Sequence, residues 1–449
     1  MLDLAAPRRV HVVGIGGSAM SAIATVLGAM GHRVTGSDLS DSAVVQRLGV
    51  PVAIGHRADN LPADADAVIV STAIAADNPE VVEARRRGIP VLRRADAVRL
   101  FTAMRRTAVV SGTHGKTTTS SMLALILREA GWRPSFMIGG EVRDVSGNAV
   151  WDEGDWLVVE ADESDGTFID LVYEAAIVTN VEPDHLEHWG GFQPLVEAFE
   201  RFVEQSSGPV VVCADDPGAA ALSSVTYGFS EDATYRLSEF TALDRGGAFE
   251  FAGPDGRLGR LTVNAAGRHN ALNAAGAAAM ALELGVSFDA VAAALAAFAG
   301  VARRFEFRGD VGGWTVVDDY AHLPSEVRAA VAAAREGSWR RVVVVFQPHR
   351  FSRTATLWQD FAGAFHGADV VVLTDIYPAG EPPRPGVTGK LVLDAVLDEA
   401  GAERVVYLPT RDDLVRHVPG FAREGDVVLT LGAGDVTTLF DAWAPPRSR

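Results

Sequence analysis

Short runs of β-branched and other apolar residues alternate with helical patterns along almost the whole chain, and this alternation constrains the fold more than any other feature. In the first hundred residues, four such runs predict buried strands: "RVHVVGIGG", "HRVTGSD", "DAVIVST" and "IPVLRR". The first run is followed by an apolar helical segment, "SAMSAIATVLGAMG". Strands that alternate with helices form parallel sheets covered by helices. The pattern therefore predicts an α/β protein.

Two breaks in this alternation divide the chain into three units. A second unit begins near Arg105, with the strand "TAVVSG", and its helical pattern stops near "GVARRFEFRGD". The third unit has five predicted strands: "WTVVDDYAH", "RVVVVFQPHR", "DVVVLTDIY", "RVVYLP" and "DVVLTLGAG". A chain of 449 residues is too long for one ordinary core. We therefore predict domains at 1–104, 105–304 and 305–449.

Charge and composition exclude several classes of protein. A net charge of −18 argues against a nucleic-acid partner, which would need a basic face. Cys213 is the only cysteine, so no intrachain disulfide forms and a reducing compartment is expected. The longest apolar stretch, "VAAALAAFAGVA", is shorter than the ~20 residues that a membrane helix needs. We expect a cytoplasmic protein without a membrane partner, as a monomer or weak homodimer.

The stretch "VVSGTHGKTTTS" carries one of only two lysines in the chain, Lys116 and Lys390; the other 38 of the 40 basic residues are arginine. A glycine-rich turn between a strand and a helix offers backbone N–H groups to phosphates. Lysine adds a compact point charge where the wide guanidinium of arginine fits poorly. Thr117 would ligate Mg²⁺. The spacing departs from GxxxxGK[ST], and the alternative is a helix start with solvated polar residues.

A second glycine-rich turn lies near the N-terminus. Gly14, Gly16 and Gly17 follow the first strand in the pattern GxGxxG/A, and Asp38 ends the next strand. This pattern is the dinucleotide fingerprint. What it offers physically is a diphosphate site at a helix N-terminus, so a nicotinamide cofactor, a nucleotide sugar and a purely structural turn all stay open.

Acidic residues and a histidine follow two strands of the second unit. Glu160 comes directly after "LVV", and His185 follows the strand "AAIVTNVEPDH". Thr117, Glu160 and His185 could converge on one hard cation from three neighbouring strand ends. Three more carboxylates share the first of these loops: Asp162, Glu163 and Asp165. For Asp165 we favour a solvated turn over a functional role.

Polar residues later in the chain predict contacts with anions and bases. Asn270 and Asn273 lie three apart near a helix start, where they would share one face, either to bind a purine or to cap the helix. Arg304 falls at the predicted second domain boundary. His349, Arg350 and Arg353 follow a strand of the third unit, and two arginines at a strand end suggest a carboxylate site.

Taken together, these motifs resemble the Mur ligase superfamily. The matching pieces run in family order from residue 11 to about residue 386: "HVVGIGGSAMSAIA", "STAIAADNPE", "GTHGKTTT", "EADESDGTF", "TNVEPDHLEHWGG", "HNALNA", "ARRFE", "DDYAHLPSE", "FQPHRFSRT" and "AGEPPRPG". "GTHGKTTT" marks the superfamily, and "EADESD" with "FQPHRFSRT" narrows the resemblance to the branch that joins L-alanine to UDP-N-acetylmuramate.

The resemblance implies a Rossmann-like N-terminal domain, a central P-loop ATPase-like domain and a Rossmann-like C-terminal domain. It implies ATP at Gly112, Thr113, His114, Gly115, Lys116, Thr117, Thr118, Asn270, Asn273 and Arg304. It implies Mg²⁺ at Thr117, Glu160 and His185, and the nucleotide sugar at Gly14, Gly16, Gly17, Asp38, Ser71, Tyr320 and His322. Alanine would bind at His349, Arg350 and Arg353, and catalysis would depend on Lys116, Glu160, His185 and Arg304.

The implied reaction is ATP-dependent amide formation through an acyl phosphate, with Mg²⁺ as metal. Two departures stand out: Leu323 replaces the family's usual second histidine, and Ala19 replaces a glycine. No lysine lies between Lys116 and Lys390, so the carbamylated lysine of some superfamily members is not expected. The alternatives are the related ligase that attaches a recycled tripeptide, an NAD-dependent oxidoreductase, and a nucleotide-binding module without chemistry.

Overall fold

The computed structural model describes residues 3–145, 147–222, 225–399 and 404–444, and it contains three sheets with helices between their strands. The predicted α/β class is confirmed. Its contacts divide the chain into two compact units. The first comprises Met1–Ser238, Glu250–Leu261 and Leu272–Ala299, and the second comprises Glu239–Phe249, Thr262–Ala271 and Gly300–Arg449.

The first sheet is entirely parallel. Its strands are β1 (Arg9–Val13), β2 (Arg33–Asp38), β3 (Val52–Ile54), β4 (Ala67–Val70) and β5 (Val91–Arg93). Its helices are α1 (Ser18–Ala29), α2 (Ala43–Arg47), α3 (Pro79–Arg86) and α4 (Arg94–Thr102). The strands pair in the order β3-β2-β1-β4-β5. The order reverses between β1 and β4, and ligands of open α/β sheets bind at such a switch point.

The second sheet has ten strands. They are β6 (Arg106–Ser111), β7 (Ser135–Val142), β8 (Gly147–Val150), β9 (Trp156–Glu160), β10 (Ala175–Val178), β11 (Val210–Cys213), β12 (Val225–Gly228), β13 (Tyr235–Leu243), β14 (Gly246–Gly253) and β15 (Gly256–Val263). Its helices are α5 (Lys116–Glu129), α6 (Leu186–Trp189), α7 (Phe192–Glu204), α8 (Pro217–Ala220), α9 (Arg268–Glu283) and α10 (Phe288–Ala297). The order is β15-β14-β13-β12-β11-β10-β6-β9-β7-β8. Parallel strands β9 and β10 flank β6, so the loops after all three meet at one edge.

The third sheet has six strands. They are β16 (Glu306–Val311), β17 (Trp314–Asp319), β18 (Val342–Phe346), β19 (Val370–Leu373), β20 (Arg404–Tyr407) and β21 (Val427–Leu431). Its helices are α11 (Pro324–Glu336), α12 (Phe351–Leu357), α13 (Lys390–Asp398), α14 (Arg411–His417) and α15 (Leu439–Trp443). The order is β16-β17-β21-β18-β19-β20, parallel except for the edge strand β16.

Both faces of the third sheet are buried, which explains its apolar strands. Val316 packs into the core on one face, and its neighbour Val317 packs into the core on the other. All five residues of β18 are buried, and they alternate between the same two cores. Parallel sheets covered by helices on both sides select such continuous apolar strands. Burial of each valine contributes up to about 1.5–3 kcal/mol.

The predicted strands are all present, whereas other strands, among them β3, β11 and β13, were not predicted. β3 has three half-buried or exposed residues, and in β13 only Tyr235 and Leu237 are buried, so neither resembles a core strand. Cys213 is buried, and its burial raises the pKa of the thiol to about 11. Across the described ranges, no helix is long and apolar enough to cross a membrane.

Candidate active site

The N-terminal glycine turn lies at the switch point of the first sheet. It connects β1 to α1, and the amide of Gly16 donates to Asp38 Oδ2 at 2.8 Å. A Cβ atom on Gly16 would lie 2.9 Å from the same oxygen, so the close approach requires glycine. Ser71 packs against Gly14 from the end of β4. The structure thus brings Gly14, Gly16, Gly17, Asp38 and Ser71 to one sheet edge, with one carboxylate oxygen of Asp38 already bonded to the turn.

The loop between β6 and α5 has the backbone of a phosphate-binding turn. Gly112 has φ 134° and Gly115 has φ 79°, which side chains rarely tolerate. A Cβ on Gly115 would lie 2.3 Å from Asn273 Oδ1. The amides of Thr113 and His114 donate to Asn180 O and Asn180 Oδ1 at 3.1 and 2.7 Å. The amides of Thr113 and His114 are therefore already bonded to Asn180. The N–H groups that remain available to a phosphate are those of the first turn of α5, because the first N–H groups of a helix have no acceptor within the helix.

Lys116 is the first residue of α5, and its ammonium is enclosed by the loop. Nζ donates to Gly112 O at 2.6 Å, to Thr113 O at 3.2 Å and to Glu163 Oε2 at 2.8 Å. Burial acts to lower the pKa of Lys116, but the negative charges of Glu163, Asp162 and Glu160 outweigh it and raise the pKa. Lys116 therefore stays a cation, as phosphate binding requires.

The structure brings Thr117 and Glu160 together. Thr117 Oγ1 donates to Glu160 Oε1 at 2.9 Å, and the amide of Gly139 donates to Glu160 Oε2 at 2.5 Å. His185 lies after β10, with φ 53° and its Nε2 3.3 Å from Asp184 Oδ2. Hydroxyl and carboxylate oxygens are ligands that Mg²⁺ accepts, so the donor set fits that ion. No group of three or more His, Cys, Asp or Glu side chains in the described residues is arranged to hold a metal.

The remaining carboxylates of the loop after β9 differ in their partners. Asp165 pairs with Arg94 at 2.5 Å and accepts from Thr167 Oγ1 at 2.6 Å. Asp162 is half-buried, and it accepts from the amide of Ser164 at 3.0 Å. Asp165 therefore organises the turn through its own partners, whereas Glu160 contacts the first turn of α5.

The two asparagines of α9 have contacts with protein groups. Asn270 Nδ2 donates to Ala266 O at 2.7 Å, and Asn273 Oδ1 accepts from Thr119 Oγ1 at 3.3 Å. Asn273 also lies against Gly115, so it supports the phosphate loop from behind. The adenine contact of both residues stays a prediction.

In the second unit, the residues after β18 form a strained and tightly packed cluster. Arg350 has φ 69°, an uncommon conformation for arginine, and its amide donates to Tyr377 O at 2.9 Å. The ring of His349 stacks on the ring of Tyr377, with centroids 5.8 Å apart and 8° between the planes. Among the described residues, Arg350 Nε is one of the few buried side-chain nitrogens without a hydrogen-bond partner. Such an orphaned donor is suited to an anionic ligand.

The charge of this cluster comes from its arginines. Burial, together with the positive charges of His322, Arg353 and Arg350, lowers the pKa of His349 to about 3. A neutral His349 accepts a hydrogen bond from Arg353 Nη1 at its Nδ1, 3.2 Å away. At neutral pH, His349 therefore orients Arg353 instead of adding a positive charge to the cluster.

Tyr320 and His322 lie beside this cluster, at the end of β17. The His322 ring lies 5.3 Å from the Tyr320 ring and 5.7 Å from the His349 ring, with edges facing planes. The guanidinium of Arg304 lies 5.2 Å from the centre of the Tyr320 ring. Leu323, which replaces the usual second histidine, is buried at the start of α11.

The sequence did not predict several residues that hold the site residues in place. They are Asn180 beneath the phosphate loop, Tyr377 beneath His349, and Glu381, which accepts from Ser352 N and Oγ. Asn180 and Glu381 lie inside motifs that the resemblance rests on, so the motifs held a signal for them. Nothing in the sequence indicated the role of Tyr377, because its partner, His349, is distant in sequence.

Comparison with protein-family models covers most of the chain. Residues 9–106 match the Mur ligase family catalytic domain, residues 110–281 match the Mur ligase middle domain, and residues 303–434 match the Mur ligase glutamate ligase domain. The three matches follow the three sheets in order.

Individual relatives agree. The chain is 46% identical over 443 residues to the UDP-N-acetylmuramate–L-alanine ligase of Solidesulfovibrio magneticus, and 46% identical over 442 residues to that of Anaeromyxobacter sp., with 96% of each chain covered. A crystal structure of UDP-N-acetylmuramate-alanine ligase from Thermotoga maritima matches with a TM-score of 0.83, 32% identity and coverage of 97% and 98%. The chain therefore belongs to the Mur ligase family, on the branch of the UDP-N-acetylmuramate–L-alanine ligases.

Proposed function

We propose that this enzyme uses ATP to join L-alanine to the lactoyl carboxylate of UDP-N-acetylmuramate, in the synthesis of peptidoglycan precursors in the cytoplasm. The observation that carries the proposal is that a phosphate loop with Lys116 and an arginine cluster with an orphaned donor, Arg350 Nε, occur in one chain. Its 46% identity to named alanine ligases over 96% of the chain supports the same substrates.

The first step is activation of the sugar carboxylate by phosphoryl transfer, which gives an acyl phosphate and ADP. Lys116 would neutralise charge on the transferred phosphoryl group from the first turn of α5, and Arg304 would add a second positive charge. Thr117, Glu160 and His185 would hold Mg²⁺. When bound, this ion supplies further charge neutralisation at the phosphates.

In the second step, the amine of alanine displaces phosphate and forms the amide. Arg350 and Arg353 would receive the alanine carboxylate, because paired guanidinium groups match its geometry. His349 would hold Arg353 in position. This fixes the amine relative to the activated carbonyl, and orientation of this kind contributes much of the rate in such reactions.

The nucleotide sugar would bind at the switch point of the first sheet. Gly14, Gly16 and Gly17 bring backbone N–H groups and the start of α1 to this edge, and Asp38 and Ser71 border it. The turn alone is equally compatible with a nicotinamide cofactor. An oxidoreductase, however, leaves Lys116 and the arginine cluster without a role, and the named relatives are ligases.

Omission of single substrates tests this function. Phosphate release by the purified enzyme should require ATP, UDP-N-acetylmuramate and L-alanine together, and leaving out any one should reduce it to background. Release without the sugar nucleotide would indicate a simple ATPase. Release with the tripeptide but not with L-alanine would indicate the recycling ligase.

A further inference from the structure

The ammonium of Lys116 has no donor left for a nucleotide as the structure stands. An ammonium has three N–H donors, and here they go to Gly112 O, Thr113 O and Glu163 Oε2. The side chains are 14% exposed for Lys116 and 2% exposed for Glu163. The phosphates of ATP must therefore displace at least one of these three acceptors before Lys116 can bind them.

The position of Glu163 is fixed by contacts that do not involve Lys116. Its backbone carbonyl accepts from Trp189 Nε1 at 3.1 Å and from the amide of Gly166 at 3.3 Å. The side chain is thereby directed at the ammonium from a braced loop. Asp162 and Glu160 add negative charge near Lys116. The ammonium of Lys116 is thus paired with Glu163, and its other charged neighbours are acidic.

We propose that Glu163 is a counter-ion that keeps Lys116 from binding nucleotide without its metal, and so restricts this loop to the Mg²⁺ complex of ATP. Free ATP is a multivalent anion, and at this loop it would be repelled by the carboxylates of Glu160, Asp162 and Glu163. Lys116 does not offset this repulsion while it is paired with Glu163. Mg²⁺ reduces the charge of the nucleotide and provides an attractive partner for Glu160. Glu163 thereby acts as a positioning residue for Lys116. The inference rests on the proposed binding of ATP at this loop.

Nucleotide binding by Glu163→Gln, without turnover, tests the proposal. Glutamine keeps the size of the side chain and an acceptor for Lys116 but removes the charge. Titration with a fluorescent ATP analogue, with Mg²⁺ or with EDTA, gives two dissociation constants for each protein. We expect wild type to bind the metal-free analogue at least ~100-fold more weakly than the Mg²⁺ complex, and this ratio to fall at least ~10-fold in the variant.

Asp165→Asn is the matched control, because Asp165 lies on the same loop but pairs with Arg94. Its ratio of dissociation constants should equal that of wild type. An unchanged ratio in Glu163→Gln, or an equal change in Asp165→Asn, overturns the counter-ion role. If wild type binds neither form of the nucleotide, the assignment of ATP to this loop fails first.

A second measurement needs no variant. Because Lys116 and Lys390 are the only lysines, amine acylation followed by peptide mass spectrometry reports Lys116 with Lys390 as internal reference. The Mg²⁺ complex of ATP should change the labelling of Lys116, and the same concentration of ATP with EDTA should leave it unchanged. An equal change with metal-free ATP contradicts the proposal.

Discussion

Lys116 has a role that arginine cannot take, although arginine outnumbers lysine 38 to 2 in this chain. Its Nζ lies within 2.6–3.2 Å of two loop carbonyls and one carboxylate, an enclosure built for a compact ammonium. Lys116→Arg should therefore lower ligation at least ~100-fold while keeping the charge. Lys390→Arg is the control, since Lys390 begins α13 in the second unit, and it should retain normal turnover. Normal turnover in Lys116→Arg would remove the phosphate-loop assignment.

Glu160 ends β9 and Asp165 lies five positions later in the loop that follows, and of these two only Glu160 contacts the first turn of α5. If Glu160 helps to hold Mg²⁺, Glu160→Gln should lose far more activity than Asp165→Asn. Raised Mg²⁺ should partly restore the activity of Glu160→Gln, because weaker metal binding is overcome by mass action. Steady-state rates over a Mg²⁺ titration provide the measurement. Equal losses in both variants would show that the acidic loop is misassigned.

Arg350 and Arg353 are expected to recognise the carboxylate of alanine. Arg350→Ala or Arg353→Ala should raise the KM for L-alanine. The expected loss of binding free energy is ~1.5–3 kcal/mol, the scale of a hydrogen bond to a charged group. The KM values for ATP and the sugar nucleotide should change little. Arg335→Ala is a suitable control, because Arg335 pairs with Asp369 on the surface of the same unit. An unaltered alanine KM in both variants would place the amino acid elsewhere.

At the scale of elements, Glu80 at the start of α3 connects the strands of the first sheet. The carboxylate is fully buried and accepts from Ser37 Oγ at 2.6 Å, His11 Nε2 at 2.9 Å and Asn60 Nδ2 at 2.9 Å. Burial acts to raise its pKa, but the hydrogen bonds from His11, Ser37 and Asn60 prevail and lower the pKa to about 2. One carboxylate thus holds β1, β2 and the segment after β3 together.

A lowered pKa in the folded state gives stability that is present above the unfolded pKa of 4.5 and is lost as pH falls towards 2. We expect Glu80→Gln to lose about 3 kcal/mol of unfolding free energy at pH 7, and this deficit to shrink below pH 4.5. Denaturant unfolding at several pH values measures both. Asp59→Asn, which alters the solvent-exposed pair with Arg57, should change little. A deficit that does not depend on pH would contradict this role for Glu80.

The sequence predicted the elements that bury continuous apolar runs, such as β6 and β18, because both faces of those strands are covered. It also predicted the two glycine turns, since close backbone approach there restricts the residue type. It did not predict β16, a partly buried edge strand, or the pairing of Lys116 with Glu163. Such pairings depend on how loops fold over one another, which has no local signature in the sequence.

At the scale of the whole molecule, the chain forms three successive α/β segments, and a different set of functional groups lies at the strand ends of each one. The first sheet presents a glycine turn with Asp38, the second presents Lys116 with its carboxylates, and the third presents an arginine cluster. A sugar nucleotide, ATP and an amino acid are the three substrates that these groups suit. We propose that the domain boundaries follow this division, at 1–104, 105–304 and 305–449.

The identity of the product tests this account most directly. The enzyme would be incubated with ATP, Mg²⁺, UDP-N-acetylmuramate and equal concentrations of L-alanine and the tripeptide. The nucleotide sugars would then be separated, and their masses would be measured by mass spectrometry. We expect one new nucleotide sugar, heavier than the substrate by one alanine minus water, formed in equal amount to ADP. A product that carries the tripeptide, or ADP formed with no new nucleotide sugar, would contradict it.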